Sequence, residues 1–153
     1  MKRDVQFLRT IDTPYGVVRG RLRDDAAAVL GDRVDEAGRA VATVAAEFHG
    51  RHLEREIAVE VVAHETPAGS ATGSHLLLRA EALEHPERYP MLEARFDALP
   101  LGEDRTALFF IATYSPPLGW IGGAADTVAL HRYAEVSLQR YFDGAAGRLS
   151  APS

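Results

Sequence analysis

LGWIGGAADTVALHRYAEVSLQRYFDGAAGRL, residues 118–149, carries the longest periodic pattern in the chain. Stepping 100° per residue from Ile121, the side chains of Ala124, Val128, His131, Ala134, Leu138, Tyr141, Phe142, Ala145 and Leu149 fall in one broad stripe. Asp126, Arg132, Gln139, Arg140 and Asp143 fall outside it. That is the spacing of an amphipathic helix, and at ~1.5 Å per residue a helix from Leu118 to Leu149 reaches roughly 40 Å. Such a helix must bury its stripe, and the chain ahead of it offers mostly strands.

From Arg39 the apolar period is two. Val41 to Phe48, Leu53 to Val62, His75 to Leu83, Met91 to Leu99 and Arg105 to Tyr114 read as five successive strands. The links His49 to His52, Thr66 to Gly73, Glu84 to Pro90 and Pro100 to Asp104 suit antiparallel neighbours. Ile57, Val59 and Val61 oppose Glu56, Ala58 and Glu60, while Leu92, Ala94, Phe96 and Ala98 oppose Glu93, Arg95 and Asp97. One face of the sheet is therefore apolar and the other mostly wet. The last strand departs from this, with Phe109 and Ile111 on one face and Leu108 and Phe110 on the other. It is either covered twice or part of a homodimer contact, the reading favoured here.

Ahead of these strands, Val5, Phe7 and Arg9 alternate with Gln6 and Leu8 as a first strand. Asp12 or Thr13 can cap a short helix with Pro14 at its first position and Val17, Val18, Arg21 and Leu22 along it. Ala26 to Leu30 suits a second short helix, and Gly31 with Asp32 to Glu36 closes the helical part. The expected architecture is α+β: a curved antiparallel sheet of about six or seven strands, two short helices after the first strand, and the long last helix gripped by the sheet. One domain spanning 1–153 fits the length.

Composition narrows the function classes. With 17 basic and 22 acidic residues the net charge is −5, which disfavours a nucleic-acid or anionic-membrane surface. Sixteen of the 17 basic residues are Arg and alanine is abundant, the mark of a GC-rich genome more than of function. Cysteine is absent, which removes disulfides, thiolate metal sites and a cysteine nucleophile. The start of the chain has no apolar core of signal-peptide length and no run reaches ~18 apolar residues, so a cytoplasmic protein is expected. His49, His52 and His64-Glu65 lack a carboxylate-supported ligand set, so no metal is expected. Gly119-Trp120-Ile121-Gly122-Gly123 is no phosphate loop, there is no Gly-x-Ser-x-Gly elbow, and no cofactor is expected.

The order of elements resembles the START-like (SRPBCC, polyketide cyclase, Bet v 1-like) helix-grip superfamily, and more its uncharacterised bacterial members than the defined cyclases. The residues that carry the resemblance are Tyr89-Pro90-Met91-Leu92, Leu99-Pro100-Leu101-Gly102 with Thr106, and Tyr114-Ser115-Pro116-Pro117-Leu118-Gly119. Asp126, Leu130-His131-Arg132 and Ala134-Glu135 in the last helix add to it. The resemblance implies a pocket for an apolar small molecule between sheet and helix, although fold alone does not set function.

The inward residues support a hollow. Leu76 and Leu78 share a face with Ala80 and Ala82, and Ala94, Ala98 and Ala112 recur beside Phe96 and Phe110. Either Leu138, Tyr141 and Phe142 fill those gaps or a ligand does. Leu78, Ala80, Phe96, Phe110, Tyr114, Trp120 and His131 are the expected ligand-contacting residues, and His131 and Tyr114 the candidates for moving a proton. For His131 a hydrogen-bonded core role competes with the functional one; for Tyr114 simple packing does. Arg79, Glu81, Arg95 and Asp97 read as an outer-face charge ladder. Three functions stay open: a carrier of a small hydrophobic, aromatic or lipid molecule, a polyketide cyclase/aromatase-like enzyme, and a ligand-free dimeric interaction module.

Overall fold

The computed structural model describes residues 3–48, 50–65, 73–84, 86, 91–114 and 124–152, without the side chains at 46, 48, 51, 53 and 124–130. The chain runs β1 (Arg3–Ile11), α1 (Tyr15–Asp24), α2 (Ala26–Leu30), β2 (Arg33–Val34), β3 (Ala40–Phe48), β4 (Arg51–Glu65), β5 (Ser74–Ala82), β6 (Leu92–Leu101), β7 (Arg105–Tyr114) and α3 (Ala124–Ser150). Seven strands form one curved antiparallel sheet in the order β1-β7-β6-β5-β4-β3-β2, and α3 lies against its concave face. The α+β helix-grip architecture expected from the sequence is present. Of the expected helix from Leu118, residues 118–123 lie outside the described ones, as do the Tyr89-Pro90 pair and Ser115 to Leu118.

Two local readings change. Asp32 to Glu36 does not simply close the helical part, because Arg33 and Val34 pair with Val41 and Ala40 as β2. Two residues are too few for a period-two signal, and what holds them is the turn after them. The Asp35 carboxylate accepts from the backbone N–H of Ala37 (3.0 Å) and Arg39 (2.8 Å), an Asx-type turn that the alternation rule does not see. Pro14 is also not the first helical residue: its extended ψ of 143° makes it the N-cap, and its carbonyl accepts from Val17 and Val18.

The faces follow the pleat. Leu76, Leu78, Ala80 and Ala82 of β5, Ala94, Phe96 and Ala98 of β6, and Leu108, Phe110, Ala112 and Tyr114 of β7 are buried toward α3. From α3 they meet Leu138, Tyr141, Phe142, Ala145 and Leu149 of the expected stripe, widened by Ser137 and Ala146; His131 and Ala134 are half-buried, and the side chains of Ala124 and Val128 lie outside the described ones. Ala58, assigned to the wet face, is also buried, opposite Val41. One half of the hollow is solid. Phe142 stands between Phe7, Phe96 and Phe110 with ring centroids 6.2, 5.9 and 5.7 Å away. These offset and edge contacts suit the aromatic quadrupole as well as the area they bury.

The C-terminal end of α3 is tied down by polar side chains. Helix ends leave four carbonyls without intrahelical partners; here Arg21 of α1 donates to the Arg148 carbonyl at 3.4 Å and, more closely, to that of Leu149. Arg148 in turn donates to the carbonyl of Val29 at 2.6 Å, and the Tyr141 hydroxyl donates to that of Leu30 at 2.7 Å. Burial pushes the Tyr141 phenol far above the ordinary range. A raised folded-state pKa means that its contribution is complete below the unfolded value of ~10 and declines as pH rises beyond it. Tyr141→Phe is therefore expected to cost about 1–2 kcal/mol at neutral pH, from the buried carbonyl left unpaired, and to flatten the loss of stability above about pH 10. Urea denaturation across pH checks both.

On the convex face Asp97 is buried to 8% exposure and accepts from Arg95 (2.9 Å) and His75 (2.7 Å), while Glu81 pairs with Arg39 at 3.0 Å. Phe109 and Ile111 are half-buried there; Leu8, paired with Phe109, is 64% exposed, and Leu77, two strands away on β5, is 50% exposed. No helix among the described residues is long and apolar enough to cross a membrane.

Candidate functional site

Among the described residues, the other half of the hollow is not filled. A cavity of about 120 Å³ lies between sheet and α3. Val44 of β3, Arg55 and Ile57 of β4 and Ala80 to Ala82 of β5 line it, with Leu92 of β6, Tyr114 of β7, and Ala134, Ser137 and Leu138 of α3. Its cause is visible in the sequence: where Phe96 and Phe110 face Phe142, large meets large, but Ala80 and Ala82 face Ala134, so small meets small. Close packing fails where both sides lack bulk.

The polar groups around the cavity are engaged. The Ser137 hydroxyl donates to its own helix at Ala134 (3.1 Å), Glu81 pairs with Arg39, and Arg55 is an exposed residue that donates to the Glu54 carbonyl at 3.1 Å. The Tyr114 hydroxyl lies 2.6 Å from His131 Nδ1, with the rings stacked 6.2 Å apart. His131 Nε2 in turn stands 3.9 Å from the Glu135 carboxylate, one turn along α3. Carboxylate, imidazole and phenol thus form a line ending at the cavity wall. Burial pushes the Tyr114 pKa up; Arg3, its β1 neighbour, pulls the other way and Glu135 adds to the rise. The phenol therefore keeps its proton at neutral pH.

Of the residues expected from the sequence to contact a ligand, Ala80 and Tyr114 line the cavity and His131 adjoins it through Tyr114. Leu78, Phe96 and Phe110 sit in the packed core, the two rings edge-on to each other at 6.3 Å, and Trp120 lies outside the described residues. Val44, Ile57, Leu92 and Ala134 also line the cavity and were not expected there, while Ala82 was expected at the hollow as an inward small residue and Leu138 as one of the side chains facing it. Ala134 and Leu138 carried a signal, being on the helix stripe, and Glu135 is four residues from His131. Among the described residues no group of three or more His, Asp or Glu can hold a metal ion.

No family model and no curated protein matches this sequence. Solved structures do match in fold. The protein TTHA0849 from Thermus thermophilus superposes with a TM-score of 0.58 at 16% identity, over 96% of this chain and 97% of that one. The ZhuI aromatase/cyclase from Streptomyces sp. R1128 gives 0.53 at 13% identity, over 98% and 92%. A norcoclaurine synthase point mutant of Thalictrum flavum, in complex with a transition-state analogue, gives 0.54 at 10% identity, over 98% and 94%.

Proposed function

We propose, from the START-like helix-grip fold that this chain has, that it binds a small hydrophobic or aromatic molecule between β5, β6 and α3. The observation that carries the reading is the cavity whose wall is Ala80, Ala82, Leu92, Ala134 and Leu138, apolar and bounded by side chains too short to close it. Binding sites of small ligands are concave and mostly apolar, with few polar groups. An apolar cavity of ~150 Å³ admits benzene, and this one is of the same order, so it has room for one ring.

The test is a titration with toluene, followed by amide and methyl NMR shifts. Shifts at Ala80, Ala82 and Ala134 are expected in the parent protein. Ala134→Leu, which puts a branched side chain into the cavity at a position that suits a helix former, should weaken binding at least tenfold without loss of stability. Shifts unchanged by saturating toluene in the parent would end the proposal.

A second reading is favoured by the line of Glu135, His131 and Tyr114, an arrangement able to move a proton at a bound ketone. Under it, His131→Ala abolishes exchange of the ketone's α-hydrogens with solvent while ligand affinity is kept; a carrier shows no such exchange in either form. That two of the structural neighbours are named as a cyclase and a synthase supports this reading without deciding it.

A further inference from the structure

Away from the concave cavity, and independent of the reading above, β4, β5 and β6 enclose an open depression of about 270 Å³ lined by Ala63, His64, Glu65, His75, Leu77 and Arg95. Directly paired residues of antiparallel strands point to the same face. Glu65 pairs with His75 and His75 with Asp97; in the next row Ala63 pairs with Leu77 and Leu77 with Arg95. The register shift between Val61 and Ala63 sets the β4 end of both rows, since a bulge re-aims the side chains that follow it. Asp97, nearly buried, holds two of these groups in place. A carboxylate paired with Arg95 only accepts, so His75 Nδ1, 2.7 Å away, carries a proton and the neutral ring keeps its lone pair on Nε2. Both contacts of Arg95 to Asp97 run through Nε, at 2.9 and 3.0 Å, and the Nη groups keep their N–H donors. Among the described residues the Glu65 carboxylate has no hydrogen-bond or ion-pair partner.

From this geometry we infer that the depression binds a free α-amino acid with an apolar side chain. Its ammonium lies between Glu65 and Nε2 of His75, its carboxylate on the Arg95 guanidinium, and its side chain on Ala63 and Leu77. Acceptors stand at one end, donors at the other, and an exposed leucine between them, which is the order of groups along such a zwitterion. Charge points the same way. Asp97 offsets Arg95, so Glu65 leaves the depression with a surplus of negative charge when the histidines are neutral. A simple anion is repelled by that surplus and a zwitterion is not. Because Asp97 fixes His75 and Arg95 before anything binds, little ordering is left for the ligand to impose.

The test titrates leucine, leucinamide and 4-methylpentanoate, the last two lacking the carboxylate and the ammonium respectively, and follows NMR shifts of His75 and Leu77. Leucine is expected to move those signals and to bind more tightly than either analogue. Arg95→Gln should weaken leucine by about three- to tenfold, the worth of one charged contact at an exposed site, and leave leucinamide within about twofold. Glu65→Gln, at an exposed position, should weaken leucine and leucinamide and leave 4-methylpentanoate within about twofold. Loss of structure would not sort its effects by ligand in this way. On the unaltered protein, long-range ¹⁵N–¹H spectra of the neutral His75 ring should show the proton on Nδ1. Leucine leaving His75 and Leu77 unmoved, either analogue matching it, Arg95→Gln weakening all three alike, or a proton on Nε2 of the neutral ring would overturn the inference. None of these outcomes touches the concave cavity, which toluene tests separately.

Discussion

Phe142→Ala is expected to destabilise the protein by about 3–5 kcal/mol, the range for removing a buried aromatic ring. Phe142 is 1% exposed and touches three other rings, from β1, β6 and β7. The loss combines transfer of the ring to water, the cavity left behind and the ring–ring contacts, which are worth ~0.5–1.5 kcal/mol each but do not add simply. The surroundings cannot collapse into the gap, because the sheet fixes Phe96 and Phe110 by its hydrogen bonds and Arg21, Arg148 and Tyr141 fix the end of α3. Guanidinium denaturation with an unchanged slope would report the loss as a shifted midpoint. A cost under about 1.5 kcal/mol would mean that the aromatic cluster is not what joins helix to sheet.

Gly73→Ala comes second, at about 2–4 kcal/mol. Gly73 precedes β5 with φ +77°, in the left-handed region that costs a non-glycine residue ~1–2 kcal/mol. A Cβ there would also run into the Ala98 carbonyl and stand 2.6 Å from Leu99 Cδ2, and overpacking of this kind adds ~1–3 kcal/mol. Gly102, in the turn between β6 and β7, separates the two effects: its φ is +73° but a Cβ would meet nothing within 4 Å. Gly102→Ala should therefore cost only about 1 kcal/mol. Equal losses at the two positions would show that backbone strain alone is at work and that β5 and β6 can part to admit a methyl group.

These two predictions also separate what is local in this protein from what is not. Phe142 can be picked out by its place on the helical stripe. Gly73, at the end of the link Thr66 to Gly73, shows its importance only once β5 lies against β6.

Most of the architecture was legible along the chain. The stripe on α3 and the alternation in β3 to β7 determined the element types, the antiparallel order and the faces, since side-chain direction in a helix or strand follows from backbone period alone. Local chemistry misled where it competed with period: β2 is held by the Asp35 turn, and Ala58 is buried although it alternates with the apolar residues. The clamp of Arg21 and Arg148 on the end of α3 could not be read in advance, because it joins residues 127 or 128 and 119 positions apart. The candidate site divides in the same way. Alanine on the inner face, and His131 and Tyr114 as a candidate proton-moving pair, could be named from the sequence. That Ala80 and Ala82 meet Ala134 while Phe96 and Phe110 meet Phe142 was decided by how far along the sheet α3 lies, and with it which half of the hollow is empty. Tertiary register, which no single segment encodes, also brought the Tyr114 hydroxyl to Nδ1 of His131 beside the cavity.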